Sequence, residues 1–210
     1  MAISAALRSR GITMDRDRKR AVLETMELGA HLNDRFDGDP HRSADLRKHL
    51  ASFSRTFQRD CICSYIKRLR FLERSRPGPA AKLNLVKIYR EHVNRVSFAT
   101  LWAIASQRPI DAAEHDIQME SDLSILFRVV MLTQIIDDLL DIKKDRNRQL
   151  PSFATAIDST PDALLTVFHS YRHPASMTWD SCFCLHALLR LAAGVTSAIM
   201  FYRCACGCFR

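Results

Sequence analysis

The stretch that decides the fold is residues 121–146, which read SDLSILFRVVMLTQIIDDLLDIKKDR. From Ile125 to Ile136 it is apolar around most of a helical circumference, and it then runs directly into a group of aspartates. A helix that is apolar on nearly all sides is buried in the protein interior. The stretch therefore predicts a core helix that carries carboxylates to the interior or to the mouth of a cavity.

Helical periodicity continues on both sides of this stretch. Residues 15–36 carry an apolar stripe that ends at Gly38-Asp39-Pro40, since Pro cannot continue a helix. Further helices are expected at about 43–73 with Ser43 as N-cap, 80–106, 121–147, 160–171 with a Thr160-Pro161 start, and 179–203. The scarcity of turn residues, 6 Gly and 7 Pro, argues against an all-β chain. We expect an all-α helical bundle in one domain, residues 1–210.

Charge and cysteine usage narrow the classes of partner and compartment. The chain has 31 basic and 23 acidic residues and a net charge of +8, which attracts nucleic acid, anionic membrane surfaces and phosphorylated substrates. The arginines are scattered and the aromatics do not interleave with them, so we expect no nucleic-acid partner. Seven cysteines in C-x-C groups do not form a secreted disulfide framework and indicate free thiols in the cytoplasm. Metal binding by Cys204, Cys206 and Cys208 is the alternative.

The termini carry no clear targeting signal. The apolar stretch Met1 to Leu7 is too short for a secretory signal, so a cytoplasmic protein is expected. The most apolar segment, Leu185 to Tyr202, contains Arg190 and falls short of the roughly 20 residues that a membrane span requires. We therefore expect a buried last helix, with loose membrane association of that helix left open.

The aspartates after the core stretch have helical spacing. Asp137, Asp141 and Asp145 are four residues apart and share one helix face, where like charges repel. An uncompensated row of carboxylates requires a cation, and hard oxygen ligands suit Mg²⁺. The alternative is a solvated acidic face neutralised by neighbouring Lys and Arg residues.

A second acidic cluster ends the first long helix. Asp34 and Asp37 are three residues apart, with Asn33 and Asp39 nearby. Carboxylates are unfavourable at a helix C-terminus because the macrodipole is negative there. This cluster also favours a cation, and the alternative is an ordinary polar helix end with Asp39-Pro40 as a turn.

Together the two clusters resemble the class I isoprenoid synthases, which include prenyltransferases, squalene and phytoene synthases and terpene cyclases. The segment Asn33-Asp-Arg-Phe-Asp37-Gly38 looks like the first aspartate-rich motif of that superfamily, with Asn in the leading position. Asp137-Asp-Leu-Leu-Asp141 is a DDxxD string, and Asp137, Asp141 and Asp145 also fit the ligand positions of the (N/D)DxxSxxxE pattern. Residues 132–151, down to the closing Leu-Pro, are similar to the second motif of squalene and phytoene synthases.

This resemblance implies an isoprenoid synthase-like bundle with a central cavity and an enzyme that uses Mg²⁺ to ionise a prenyl diphosphate. The implied metal ligands are Asp34, Asp37, Asp137, Asp138, Asp141 and Asp145. Arg90, Lys144 and Arg146 are candidates for the phosphate clamp, since cationic side chains bind phosphate oxygens. Candidates for the cavity lining, for which a plain core role is the alternative, are Phe36, Phe98, Trp102 and Phe127. His31, His92 and His186 are expected to be ordinary polar residues of the bundle.

Several alternatives stay open at this point. The competing functional class is a non-catalytic or degenerate helical-bundle interaction protein with a basic surface. Within the enzyme class, the sequence does not separate a cyclase from a condensing enzyme, and the length of the prenyl chain is not set. Peripheral membrane contact, a homodimer and the role of residues 180–210 are equally open. A membrane-embedded prenyltransferase is set aside, because it needs several long apolar spans.

Overall fold

The chain is all-helical wherever the computed structural model describes it, namely residues 2–8, 10–37, 53, 56–173 and 183–206. This confirms the predicted all-α class. The helices are α1 (Ala2–Arg8), α2 (Arg16–Phe36), α3 (Thr56–Arg74), α4 (Leu83–Ser106), α5 (Ile110–Met119), α6 (Ser121–Leu140), α7 (Ile142–Arg148), α8 (Pro161–Arg172) and α9 (Phe183–Ala205).

The helix starts follow from local capping chemistry. The Asp15 carboxylate accepts a hydrogen bond of 2.7 Å from the backbone N–H of Arg18, which caps α2 one residue inside the predicted start. Thr160 caps α8 in the same way and Pro161 follows at the first helical position, as the sequence predicted. Ser43, the expected cap of the next helix, lies outside the described residues.

Three features of the helices differ from the expectation. The helix expected over 121–147 ends at Leu140, and α7 begins at Ile142. Asp141 lies between them with φ −91° and ψ 10°, yet the N–H of Asp141 still bonds to the carbonyl of Asp137 at 2.9 Å. The face shared by the aspartates is therefore preserved across the break. The two short helices α1 and α5 were not expected at all.

The chain divides into two compact units, and helix α4 contributes to both. The first unit comprises Met1–Ser75 and Arg95–Gln118, and the second comprises Arg76–Asn94 and Met119–Arg210. Helix α4 thus gives its first half to the second unit and its second half to the first. The expectation of one domain over residues 1–210 stays a prediction.

The first unit is held together by α2, α3, α5 and the second half of α4. Trp102 of α4 is buried, and its indole N–H donates to the Asp116 carboxylate of α5 at 3.2 Å. Arg108 donates to the same carboxylate at 2.6 Å, so this buried acid has two donors. Tyr65 of α3 lies 3.2 Å from Ser97 of α4. These contacts fix α4 and α5 against each other and α3 against α4.

The second unit is built on α6, which packs against α7, α8 and α9. Its buried side chains include Leu123, Ile125, Met131, Leu132 and Ile135, so the predicted core helix is confirmed. The first half of α4 joins it through polar contacts, among them a 3.3 Å hydrogen bond from Asn94 to Gln134.

The last helix, α9, corrects the expectation of a buried helix. Leu185, Leu189, Thr196 and Met200 are buried against α6 and α8, because α9 packs on one side only. Just 22% of the most apolar 18 residues of the segment Leu185–Ala205 is buried. By length and composition this segment is the one helix, in the described part of the chain, that is long and apolar enough to cross a membrane.

Candidate functional site

Two neighbouring aspartates at the end of α6 lie in opposite environments. The Asp138 side chain is 1% exposed, whereas Asp137 lies at the surface. One Asp138 oxygen accepts hydrogen bonds from Arg90 at 3.0 Å and from Gln134 at 2.6 Å. The other oxygen accepts from the backbone N–H of Phe153 at 2.6 Å. Asp138 therefore connects α4, α6 and the segment after α7.

The charge state of Asp138 is set by competing effects. Burial raises its pKa, while the Arg90 charge, the Phe153 N–H and the Gln134 amide oppose that rise by favouring the carboxylate. The Arg90 side chain is itself only 16% exposed. Arg90 and Asp138 thus form a buried ion pair with additional hydrogen bonds. The roles of Arg90 in a phosphate clamp and of Asp138 as a metal ligand stay predictions.

Asp137 and Asp141 form the accessible part of the acidic face. Asp141 is half-buried and lies 3.1 Å from the Lys144 ammonium, with both side chains 43% exposed. Partial burial raises the pKa of Asp137, and the negative charge of Asp141 raises it further. The two carboxylates are therefore close enough to repel each other. Such a pair gains from a nearby cation.

Asp145 continues the same face into the interior. It is buried on α7, and burial together with the Asp138 charge raises its pKa to about 6. Arg146, the next residue, is exposed. The acidic face thus runs from surface to interior over the junction of α6 and α7.

The donor set at this junction fits Mg²⁺ through two carboxylates. Within the described residues, no group of three or more His, Cys, Asp or Glu side chains is arranged to hold a metal ion. Mg²⁺ in phosphate-binding sites usually takes one or two carboxylates and completes its coordination with substrate oxygens and water. Asp137 and Asp141 satisfy that requirement. Asp138 fits less well, since both its oxygens already accept hydrogen bonds.

The other acidic cluster belongs to the first unit. Asp34 and Asp37 are half-buried, and the backbone N–H of Asp37 bonds to the Asn33 carbonyl at 2.9 Å where α2 ends. The Asn33 amide also donates to the Asp37 carboxylate at 3.3 Å. Two acids do stand at a helix C-terminus, as the sequence predicted. Gly38 and Asp39 lie outside the described residues.

The other residues predicted for the site have varied surroundings. Trp102 and Phe98 are buried in the first unit, and Phe127 is buried in the second. Phe36 and His31 are half-buried, and the His92 ring nitrogen lies 2.7 Å from the carbonyl of Ile88. The burial of Trp102, Phe98 and Phe127 agrees with the alternative interpretation of these residues, which is a role in the core rather than in a cavity lining.

The cysteines that the structure describes do not form a metal site. Cys61 is buried, and burial raises the pKa of its thiol to about 11, so it stays protonated at neutral pH. Its C-x-C partner Cys63 is exposed. Cys204 and Cys206 are exposed, whereas Cys208 lies outside the described residues.

Sequence reasoning missed two sets of residues. Gln134 precedes Asp138 by four residues, which is the helical spacing for a side-chain hydrogen bond and was a usable signal. A groove between α8 and α9 gathers Arg172, His173, His186 and Arg190. The four-residue spacing of His186 and Arg190 indicated a shared face, but nothing in the sequence indicated that the end of α8 would oppose it.

Comparison of the chain with protein-family models, curated proteins and solved structures gives no match. The structure itself establishes the fold class, since the described residues form an all-α protein.

Proposed function

We propose that this protein is a Mg²⁺-dependent enzyme of the class I isoprenoid synthase kind that ionises an allylic prenyl diphosphate. The observation that carries the proposal is the pair Asp137 and Asp141 at the junction of α6 and α7. These carboxylates share a helix face, lie within electrostatic reach of each other and remain partly accessible. An isoprenoid synthase-like fold with a central cavity is part of the proposal, and the role of Asp34 and Asp37 as metal ligands stays a prediction.

The proposed chemistry is charge stabilisation rather than nucleophilic attack. Mg²⁺, when bound, would stabilise the negative charge that develops on the diphosphate as the allylic C–O bond breaks. Asp137 and Asp141 would hold that cation. Lys144, whose ammonium lies 3.1 Å from Asp141, would contact a phosphate oxygen beside them.

The buried residues around the pair have a positioning role in this proposal. Asp138 binds Arg90, Gln134 and the Phe153 N–H, so it fixes the end of α6 against two other segments. Because the Arg90 charge offsets that of Asp138, the accessible carboxylates left for a cation are those of Asp137 and Asp141. Arg146 is exposed next to Asp145 and is a second candidate for phosphate contact.

A second candidate function is a non-catalytic helical protein with a basic surface. The observation that favours it is the pairing of the acids with bases, Asp138 with Arg90 and Asp141 with Lys144. In that case the net charge of +8 would serve binding to an anionic partner. The two candidates differ in whether Mg²⁺ and diphosphate bind and react.

The test is incubation of the purified full chain with farnesyl and geranylgeranyl diphosphates, with and without Mg²⁺, following the release of inorganic diphosphate. We expect Mg²⁺-dependent release that falls about a hundredfold or more in Asp137→Asn/Asp141→Asn, since both carboxylates act on the developing charge. Asp162→Asn, an exposed acid in the first turn of α8, is the matched control and should keep full activity.

Two results would contradict the enzymatic proposal and favour the non-catalytic helical protein. One is the absence of diphosphate release from either substrate together with no Mg²⁺-dependent rise in melting temperature in the presence of diphosphate. The other is release that survives unchanged in Asp137→Asn/Asp141→Asn, because the reaction would then not depend on these carboxylates.

A further inference from the structure

A groove of about 520 Å³ lies between the end of α8 and the middle of α9, apart from the aspartates described above. The residues that line it are Phe168, Arg172, His173, His186, Leu189, Arg190, Ala193 and Ser197. All of them belong to the second unit. The groove is thus a feature of one compact unit and of two helices that are packed together.

The lining is basic on one part and apolar on another. Half of the described lining residues are Arg or His, and none of them is Asp or Glu. The Arg172 Nε–H donates to Nε2 of His173 at 2.7 Å, which orients the guanidinium and the ring beside the groove. Phe168, Leu189 and Ala193 supply the apolar part. Such a lining suits an oxyanion that is attached to an apolar group.

The exposed apolar face of α9 begins beside Arg190 at the rim of the groove and extends around the helix from there. The α9 residues that line the groove are His186, Leu189, Arg190, Ala193 and Ser197. At about 100° per residue, Phe201 lies about 20° around the helix from Arg190, Leu191 about 100°, Tyr202 about 120° and Val195 about 140°. These four apolar residues form a second stripe of the helix. This second stripe is exposed and contains large apolar side chains: Leu191 is 65% exposed, Val195 44%, Phe201 77% and Tyr202 65%. Monomeric soluble proteins rarely leave contiguous apolar patches of this kind on the surface.

The two features together select one kind of partner. A lipid surface presents phosphate groups at its boundary and apolar chains beneath them, and a helix lying in that boundary buries its apolar face while basic residues contact the phosphates. The net charge of +8 favours an anionic surface over a neutral one.

We propose that the groove between α8 and α9 and the exposed stripe of α9 form a docking site for an anionic phospholipid surface. Arg172, His173, His186 and Arg190 hold the phosphate of a headgroup. Leu191, Val195 and Phe201 lie in the region where headgroups meet acyl chains. This site does not depend on the aspartates of α6 or on the proposed enzymatic reaction.

The test is sedimentation of the full chain with phosphatidylcholine vesicles that contain or lack phosphatidic acid. We expect binding to the vesicles with phosphatidic acid and little binding to those without it. Arg172→Gln/Arg190→Gln should weaken that binding about thirtyfold, because each surface arginine contributes about five- to sixfold. Arg70→Gln/Arg74→Gln removes the same charge from exposed positions of α3 and should leave most of the binding intact.

The apolar stripe has its own variant and control. Leu191→Ser/Phe201→Ser should reduce vesicle binding at low and at high salt, since it removes buried apolar area rather than charge. Leu23→Ser/Ile157→Ser changes two apolar side chains that are exposed elsewhere and should bind as the unaltered chain does. Circular dichroism should show unchanged helix content in each variant, because all the altered side chains except the half-buried Arg172 are exposed.

Four outcomes would overturn the proposal. Equal binding by Arg172→Gln/Arg190→Gln and by the unaltered chain would exclude the groove as the headgroup site. Stabilisation by inorganic phosphate that this variant loses, without any vesicle binding, would assign the groove to a free phosphate. Resistance to carbonate extraction would indicate a membrane span. Dimers that Leu191→Ser/Phe201→Ser abolishes, without vesicle binding, would assign the stripe to a second copy.

Discussion

Asp137 and Asp138 differ in role because a helix turns by about 100° from one residue to the next. The sequence marks both as acidic candidates in a DDxxD string, but it has no signal for which of them is buried. That distinction depends on Arg90 and the Phe153 N–H, which come from segments 48 and 15 residues away. The face shared by Asp137 and Asp141 was predictable from spacing alone, and the burial of Asp138 was not.

The ion pair of Arg90 and Asp138 leads to a prediction about stability. Arg90→Met should lower the free energy of unfolding by about 3 kcal/mol, because it leaves the Asp138 carboxylate buried without its cation. Urea unfolding followed by circular dichroism measures this. Part of the loss should return in Arg90→Met/Asp138→Asn, where the uncompensated charge is gone.

Arg70→Met is the matched control, since Arg70 is exposed on α3, and its effect should stay within about 0.5 kcal/mol. If Arg90→Met changed stability no more than this control, the ion pair would not contribute to the fold. Arg90 would then be a better candidate for the phosphate clamp that the family resemblance implies.

At the scale of helices, prediction succeeded where capping and periodicity agree. The start of α8 follows from the predicted cap Thr160-Pro161. The start of α2 was predicted from its apolar stripe alone, and the structure adds Asp15 as its cap. Helix α5 was missed because its buried stripe includes Asp116, which breaks the apolar pattern. Burial of the Asp116 carboxylate is tolerated because Trp102 and Arg108 donate hydrogen bonds to it. The apolar pattern of a single helix does not indicate such partners.

The N-cap of α8 gives a prediction at this scale. Thr160→Ala should cost about 1 kcal/mol of stability, because the N–H of Ala163 loses its acceptor at 3.2 Å. Thr160→Ser keeps a hydroxyl at the same position and should unfold nearly as the unaltered chain does. Differential scanning calorimetry measures both.

Thr166→Ala tests whether any loss of a hydroxyl on α8 has this effect. The Thr166 hydroxyl donates to the carbonyl of Asp162 inside the helix, so its removal should be neutral or slightly stabilising. Equal destabilisation by Thr160→Ala and Thr166→Ala would argue against a capping role for Thr160.

For the whole molecule, composition and periodicity were sufficient to predict the class of fold but not its surfaces. Few Gly and Pro residues and long apolar stripes predicted an all-α chain, as found. The exposure of α9 could not be predicted, because its composition is that of a core helix and only the number of packing neighbours determines its burial. The basic groove could not be predicted either, because it is formed by two helix segments that are separate in the sequence and meet only in the fold.

The central claim is that the junction of α6 and α7 holds a divalent cation together with a diphosphate. Titration of Mn²⁺, as a paramagnetic substitute for Mg²⁺, in the presence of inorganic diphosphate and monitored by electron paramagnetic resonance tests it most directly. We predict bound Mn²⁺ in the unaltered chain and in Asp162→Asn, and its loss in Asp137→Asn/Asp141→Asn. Equal Mn²⁺ binding in all three proteins, or binding in none of them, would contradict the claim.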